Sequence, residues 1–516
     1  MEQAERRGSS TRSSSRWIGR WVLFAVIAIY VAARMLHLAA VCLDGDEIFS
    51  VLLSRRGWKA LTTAAAADSV HPPLFYYLLK VWVFIGNESL IWLRLLPALF
   101  SVLAILPLIL LGRELRLRPI EVHCAIGLAA VHPFLIYYGQ HVRMYSLLLL
   151  CSLTSLWLFQ RTLRLGARPS GLSYAALTLA NIVLVYSHYY GCLIVGLECL
   201  YVLLWKRERW ERTLLSAVVV LASFAPWLYV AGTRAYAKGG LQSNLNWIAK
   251  PTRQDLVLFF VELTGLSDFP KAGRRVCAAL VVLILAALWV QWRRRHTRSL
   301  GHALFFLLYF TLCPIAISFV ASFIMTSSIW GRRHLIFVAA TLLLLSSVSW
   351  WRLRSRAVRL LGALACVAWA FAVIPHQLAP DVRKAPFDTF VLRMLDREEE
   401  ITAPIRLFVL EKHLHFAPWF YLETLEAKKT AGFTVHFTEP ERERLSRKAA
   451  AFEVRRDATI DDARGAHFWV LTSTYSWRQK ERPRQIMTQR GCQVGLDLTI
   501  RDRYHAITAF PAWCAP

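Results

Sequence analysis

Acidic residues are scarce in this chain of 516 residues: 34 Asp and Glu stand against 61 Lys and Arg, a formal charge of +27. An excess of that size raises the question of nucleic acid. The basic residues, however, fall in short clusters between apolar runs and never line one amphipathic surface, so no nucleic-acid partner is expected. Also missing are CxxC pairs and any Cys/His spacing that would ligate zinc, although the chain has ten cysteines. Cys124, Cys151, Cys199, Cys277 and Cys366 sit inside apolar runs, where packing is their expected role. Cys492 and Cys514 lie in a polar tail, where an oxidising compartment would allow a disulfide. No repeat of fixed period occurs, which removes solenoids from consideration. No small-residue cleavage site follows the first apolar run, which therefore reads as a retained anchor rather than a removed signal peptide.

What the chain does have is hydrophobic length. It is 56% hydrophobic, with 20 Trp and 28 Phe, far more than a soluble core needs. Runs of about 20 apolar residues, enough to cross ~30 Å of hydrocarbon, recur from Trp21 to Ile374. The positive-inside rule puts Arg6, Arg7, Arg12, Arg16 and Arg20 in the cytoplasm and numbers the spans that follow. These fall near 21–41, 89–111, 121–138 and 144–160, with two more meeting outside at Ser187–Gly191, then near 213–231, 275–292 and 302–325, one ending before Arg352, and a last near 357–374. The stretch "LFYYLLKVWVFI", Leu74 to Ile85, is a dozen residues with a lysine inside, too short to cross, and is expected to lie on the outer membrane surface. In the tail, "IRLFVLE", "TVHFTE", "HFWVLTS", "GLDLTI" and "YHAITAF" read as strands, and "PERERLSRKAA" favours helix. The expected fold is mainly α, a polytopic membrane helical bundle of about eleven spans with a small C-terminal extracytoplasmic α/β domain. Residues 1–20 form its cytoplasmic basic tail, 21–375 its membrane domain with a first outer loop at 42–88, and 376–516 the α/β domain.

Given so few acids, their concentration in "CLDGDEIFS", Cys42 to Ser50, is informative. Asp44 is placed to cap a helix, with Glu47 three residues on as its reciprocal partner; Asp46 has no part in that arrangement. "HPPLFYYLL" sets His71 before a proline-initiated helix. "YYGQHVRMYS" puts His141, Arg143 and Tyr145 in a tight outer hairpin, and "SHYYG" puts His188 at another helix end; either could be polar loop without function. "WGRRHL" carries Arg332 and Arg333, the one dense basic cluster that parity puts outside. Those arginines could pair with lipid phosphate, or clamp the phosphate of a substrate approaching within the bilayer. All of these polar residues fall at the outer ends of helices, so their loops could converge on one cavity.

Taken in order, the acidic pair after the first span, "HPPLFYYLLKVW", the run G-x-E-x-x-x-x-x-R-L-x-P at Gly86 to Pro97, "HPFLIYYGQHVRMYSLLLL", "SHYYG" and "RRHLIF" resemble the bacterial C-type glycosyltransferases. The likeness is to the protein O-mannosyltransferase and lipid A aminoarabinose transferase branch and spans roughly residues 20 to 350. It implies a multi-pass plasma (inner) membrane enzyme that moves a sugar, hexosyl or pentosyl, from a polyprenyl phosphate to an extracytoplasmic hydroxyl of protein, lipid or polysaccharide, with inversion. The resemblance makes Asp46 the essential carboxylate, with Glu47 beside it as the second catalytic candidate. His71, Arg143, Tyr145, His188, Arg332 and Arg333 become candidates for donor binding. Aminoarabinose transferases carry Glu-Lys before the proline pair where this chain has Val70-His71, so the resemblance carries over no ligand set for a divalent metal, although one is possible. A transporter or lipid flippase is the alternative, with Glu198 its mid-span ionisable group and Pro314 its helix interruption.

Overall fold

The computed structural model describes residues 21–40, 42–164, 171–237, 249–267, 269–293, 298–353, 355–378, 387–397, 405–409, 420–421, 433–437, 465, 467–473, 482–501 and 506–515. The basic tail 1–20 and the helix expected at "PERERLSRKAA" lie outside them. The chain divides into two compact units: Met1–Leu38 with Arg56–Gln377, and Ala39–Arg55 with Leu378–Pro516.

The first unit is a helical membrane bundle. Among the described residues, seven of its helices are long and apolar enough to cross a bilayer, eight if the bent pair Pro119–Ala130 and Pro133–Gly139 is one span. Trp21–Met35, Gly171–Ser187 and Tyr190–Trp205 are shorter apolar helices; with the bent pair counted as one span, adding these three gives eleven, against the about eleven expected from the sequence. Leu74–Ile85 is a separate helix of 12 residues, about 18 Å at 1.5 Å per residue. That is well short of the hydrocarbon thickness.

The 65° bend has a local cause and an unusual brace. Pro133 cannot donate back into the preceding turn, so the helix breaks at His132 and frees the carbonyls of Ala129 and Ala130. Arg34, fully buried near the end of the first apolar run, donates to both (3.0 and 3.4 Å), to Tyr30 O (3.0 Å) and to Ser101 Oγ (2.9 Å), with its guanidinium over the Tyr30 ring. A cation inside an apolar run is tolerated because four oxygens accept from its guanidinium.

One end of the bundle collects basic clusters. Arg164, closing the helix Tyr145–Arg164, pairs with Glu114 (3.1 Å), Arg352 donates to Glu121 (3.0 Å), and Arg209 donates to Thr162 O. Tyr145 begins the helix that Arg164 ends, so Arg143 and its neighbours lie at the opposite end.

In the second unit the tail forms a mixed sheet: β1 Ile405–Val409, β2 Phe433–Phe437, β3 His467–Ser473, β4 Cys492–Val494, β5 Leu498–Arg501 and β6 Ala506–Cys514. Its order is β2-β1-β3-β6-β4, with β5 also on β6; the β1 pairings are parallel and the β6 pairings antiparallel. Phe408, Phe468, Val470, Met487 and Phe510 pack together as its core. Five strands match the apolar runs of the sequence; β4, three residues long, gave no periodic signal. Cys492 faces Cys514 across β4 and β6 and forms a disulfide. The acidic stretch belongs to this unit as the helix Gly45–Arg55.

Candidate active site

In the acidic helix the capping reading is realised atom by atom. Glu47 N donates to Asp44 Oδ1 and Asp44 N donates to Glu47 Oε2, both at 3.0 Å. The two carboxylates thus satisfy backbone donors that the first helical turn leaves open. Glu47 is fully buried; Asp46, half-buried, takes no part in either bond. Asp46 is therefore the acid of this trio that helix capping does not account for.

In the membrane unit, four of the motifs meet. His71 precedes the helix Leu74–Ile85, Arg143 sits in the hairpin before Tyr145, His188 lies between the helices ending at Ser187 and starting at Tyr190, and Arg333 and His334 lie in a 3-10 turn before Ile336. The rings of His71, His188 and His334 approach to 5.1, 5.9 and 4.7 Å between centroids. One nitrogen from each lies within 4.8 Å of the others. Arg143 donates to His71 Nδ1 (3.2 Å) and to the Tyr76 hydroxyl (3.4 Å). Arg333 stacks over the Tyr145 ring at 5.5 Å.

Two glycines of the motifs allow this approach. A Cβ at Gly331 would lie 2.4 Å from His334 Nδ1, and one at Gly191 would lie 2.7 Å from Leu184 O in the turn that carries His188. A side chain at Gly331 would force the His334 ring to shift, and one at Gly191 would force the Leu184 backbone in that turn to shift.

Three neighbouring histidines invite a metal, but the hydrogen bonds of two of them do not fit one. A guanidinium only donates, so His71 Nδ1 must accept from Arg143; the N–H of Tyr190 only donates, so His188 Nδ1 must accept from it (3.1 Å). Each neutral ring then carries its hydrogen on Nε2, and a protonated nitrogen has no lone pair for a metal. Among the described residues neither Nε2 atom, both buried, has a hydrogen-bond partner, and the same holds for both ring nitrogens of His334. Burial, then the charge of Arg143, holds the His71 pKa well down; the same causes put His188 at about 3, so both rings are neutral near pH 7. Neutral N–H donors beside two guanidiniums form a receptor for an anion.

Arg332 differs from its neighbour, since it pairs with Glu262 (3.2 Å) and is half exposed. Glu198, inside the apolar helix Tyr190–Trp205, accepts from Ser155 Oγ (2.6 Å) and Asn181 Nδ2 (2.8 Å) and ties three helices together. His334 was missed as a candidate by reasoning from the sequence, although it directly follows the arginine pair; Tyr76 is a second addition, its hydroxyl taking Arg143.

No protein-family model and no curated protein matches the sequence. The structure does find counterparts. ArnT from Cupriavidus metallidurans bound to undecaprenyl phosphate aligns over 95% of this chain and 98% of its own, at a TM-score of 0.56 and 14% identity. Its apo form aligns over 96% and 98%, at 0.55 and 15%. The chain is similar in fold to ArnT. An oligosaccharyltransferase of Archaeoglobus fulgidus gives a weaker match, TM-score 0.46 at 15% identity over 78% of this chain and 64% of its own. The likeness to ArnT runs nearly end to end in both proteins, so it takes in the tail that the sequence motifs did not reach.

Proposed function

We propose that the protein is an inverting glycosyltransferase that takes its sugar from a polyprenyl phosphate and delivers it to a hydroxyl outside the plasma membrane. The observation that carries this reading is the anion receptor: two buried Nε2–H donors with fixed tautomers, flanked by Arg143 and Arg333. The fold shared with a protein crystallised with undecaprenyl phosphate supports the choice of anion.

In the reaction the acceptor oxygen forms a bond to the anomeric carbon as that carbon's bond to the phosphate oxygen breaks. Negative charge then gathers on the departing phosphate, and donors already aimed at it stabilise the transition state more than the ground state. Asp46 takes the acceptor's proton, since an alcohol attacks poorly until that proton is removed. Tyr145 holds the Arg333 guanidinium by its ring face. Arg332, engaged by Glu262, lies at the margin of the donor site.

The experiment is to incubate purified protein with a labelled polyprenyl-phosphate sugar and follow polyprenyl phosphate. Its release, faster with acceptor present, is expected; a donor that stays intact yet crosses vesicle membranes would establish the transporter instead. Orientation follows from the basic end of the bundle facing the cytoplasm. Reporters fused after Glu114 and after Gly86 are expected to read inside and outside respectively, and a cytoplasmic reading after Gly86 would overturn that layout.

A further inference from the structure

The tail reaches back to the acidic helix within its own unit. The Tyr421 hydroxyl accepts from the backbone N–H of Leu43 at 2.6 Å and can donate to the carbonyl of the same residue at 3.4 Å, across 378 positions of sequence. Leu43 immediately precedes Asp44, the cap residue, so one hydroxyl holds the peptide from which the capped helix begins. At the helix's other end the Arg55 guanidinium lies 5.6 Å from the ring of Phe420, the residue beside Tyr421. Leu43, Cys42 and Tyr421 are all buried, and burial pushes the Tyr421 phenol pKa up, so the hydroxyl keeps its proton across the physiological range.

We infer that Tyr421 is a positioning residue: through Leu43 it fixes the start of the acidic helix and hence the place of Asp46, which makes the C-terminal domain a working part of the enzyme. The reasoning is physical. A capping box fixes the first turn relative to its own helix but not relative to anything else. A helix of 11 residues has little stability alone and needs outside anchors to hold its orientation. A carboxylate that must meet a hydroxyl at hydrogen-bond distance loses much of its effect when displaced by about 1 Å. The inference rests on Asp46 being the catalytic carboxylate, and its test separates the two.

Tyr421→Phe keeps the ring and its packing and removes only the hydroxyl. Two readouts are taken on the full-length protein. The first is the rate at which N-ethylmaleimide alkylates Cys42, one residue before Leu43, resolved by peptide mass spectrometry from the other thiols. The second is kcat and KM for the polyprenyl-phosphate sugar. The variant is expected to speed Cys42 alkylation about ten-fold, the change in an opening equilibrium when one buried hydrogen bond is lost. It is also expected to lower kcat about ten-fold with donor KM unchanged, because the donor receptor is untouched. Tyr421→Gln, which returns a hydrogen-bonding group without the ring, is expected to recover part of the Cys42 protection, and it serves as the second variant. Wild-type alkylation in Tyr421→Phe overturns the inference. Faster alkylation with unchanged kcat leaves Tyr421 as the anchor of the helix and removes Asp46 from the chemistry.

Discussion

Asp46→Asn is expected to fold normally and to lose about 10²–10⁴ in the rate of sugar transfer, the usual cost of removing a general base. The substitution keeps the shape of the side chain, and the two capping bonds that open the helix run between Asp44 and Glu47. Asp44→Ala should show the reverse pattern: a loss of about 0.5–2 kcal/mol of stability, with turnover per folded molecule largely retained. Glu47 can be tested separately from its structural duty, since Gln at that position still accepts the Asp44 N–H while losing the charge. Glu47→Gln is expected to keep both the fold and the activity. The three proteins are compared by donor cleavage normalised to folded protein. A dead Glu47→Gln beside an active Asp46→Asn would move the base by one residue, and three active variants would remove the site from this helix.

The capping box, the short helix Leu74–Ile85 and five tail strands could be read directly from the sequence because each depends on residues a few positions apart. Local periodicity also indicated which helix ends carry polar side chains. It could not divide the labour among them. Arg332 and Arg333 are adjacent and identical, yet one pairs with Glu262 and the other sits over Tyr145, a choice made by residues some 70 and 190 positions away. Arg34 was hidden inside an apolar run, where the partners that make its charge tolerable are carbonyls freed by a break almost 100 residues later. The tautomers of His71 and His188 were equally out of reach, since they follow from an arginine and a backbone N–H placed only by the fold. Tyr421 is the extreme case, because its partner lies 378 positions upstream. Contacts of this range carry no periodic signal.

Arg143→Met is expected to weaken binding of the polyprenyl-phosphate sugar by about 10- to 150-fold, the equivalent of one charged hydrogen bond of ~1.5–3 kcal/mol, while Arg332→Met weakens it far less. The same variant releases His71 Nδ1 from its guanidinium partner, so the ring can turn or exchange tautomers and donor orientation suffers along with affinity. A pH test reads the cluster without any substrate. His188 titrates near 3 in the folded chain and near 6.5 when unfolded, so between those values the unfolded state binds more protons. Its contribution to stability is full above about pH 6.5 and declines as the solution is acidified, by up to ~1.4 kcal/mol per pH unit. The melting temperature of the ligand-free wild type should therefore fall from about pH 7 to about pH 5 more steeply than that of His188→Asn. A bound polyprenyl phosphate should flatten the wild-type slope, because an anion beside the rings raises their pKa values toward the unfolded one. Equal slopes for the ligand-free wild type and His188→Asn would mean that the ring protonates freely in the folded protein, and the neutral donor receptor would have to be abandoned.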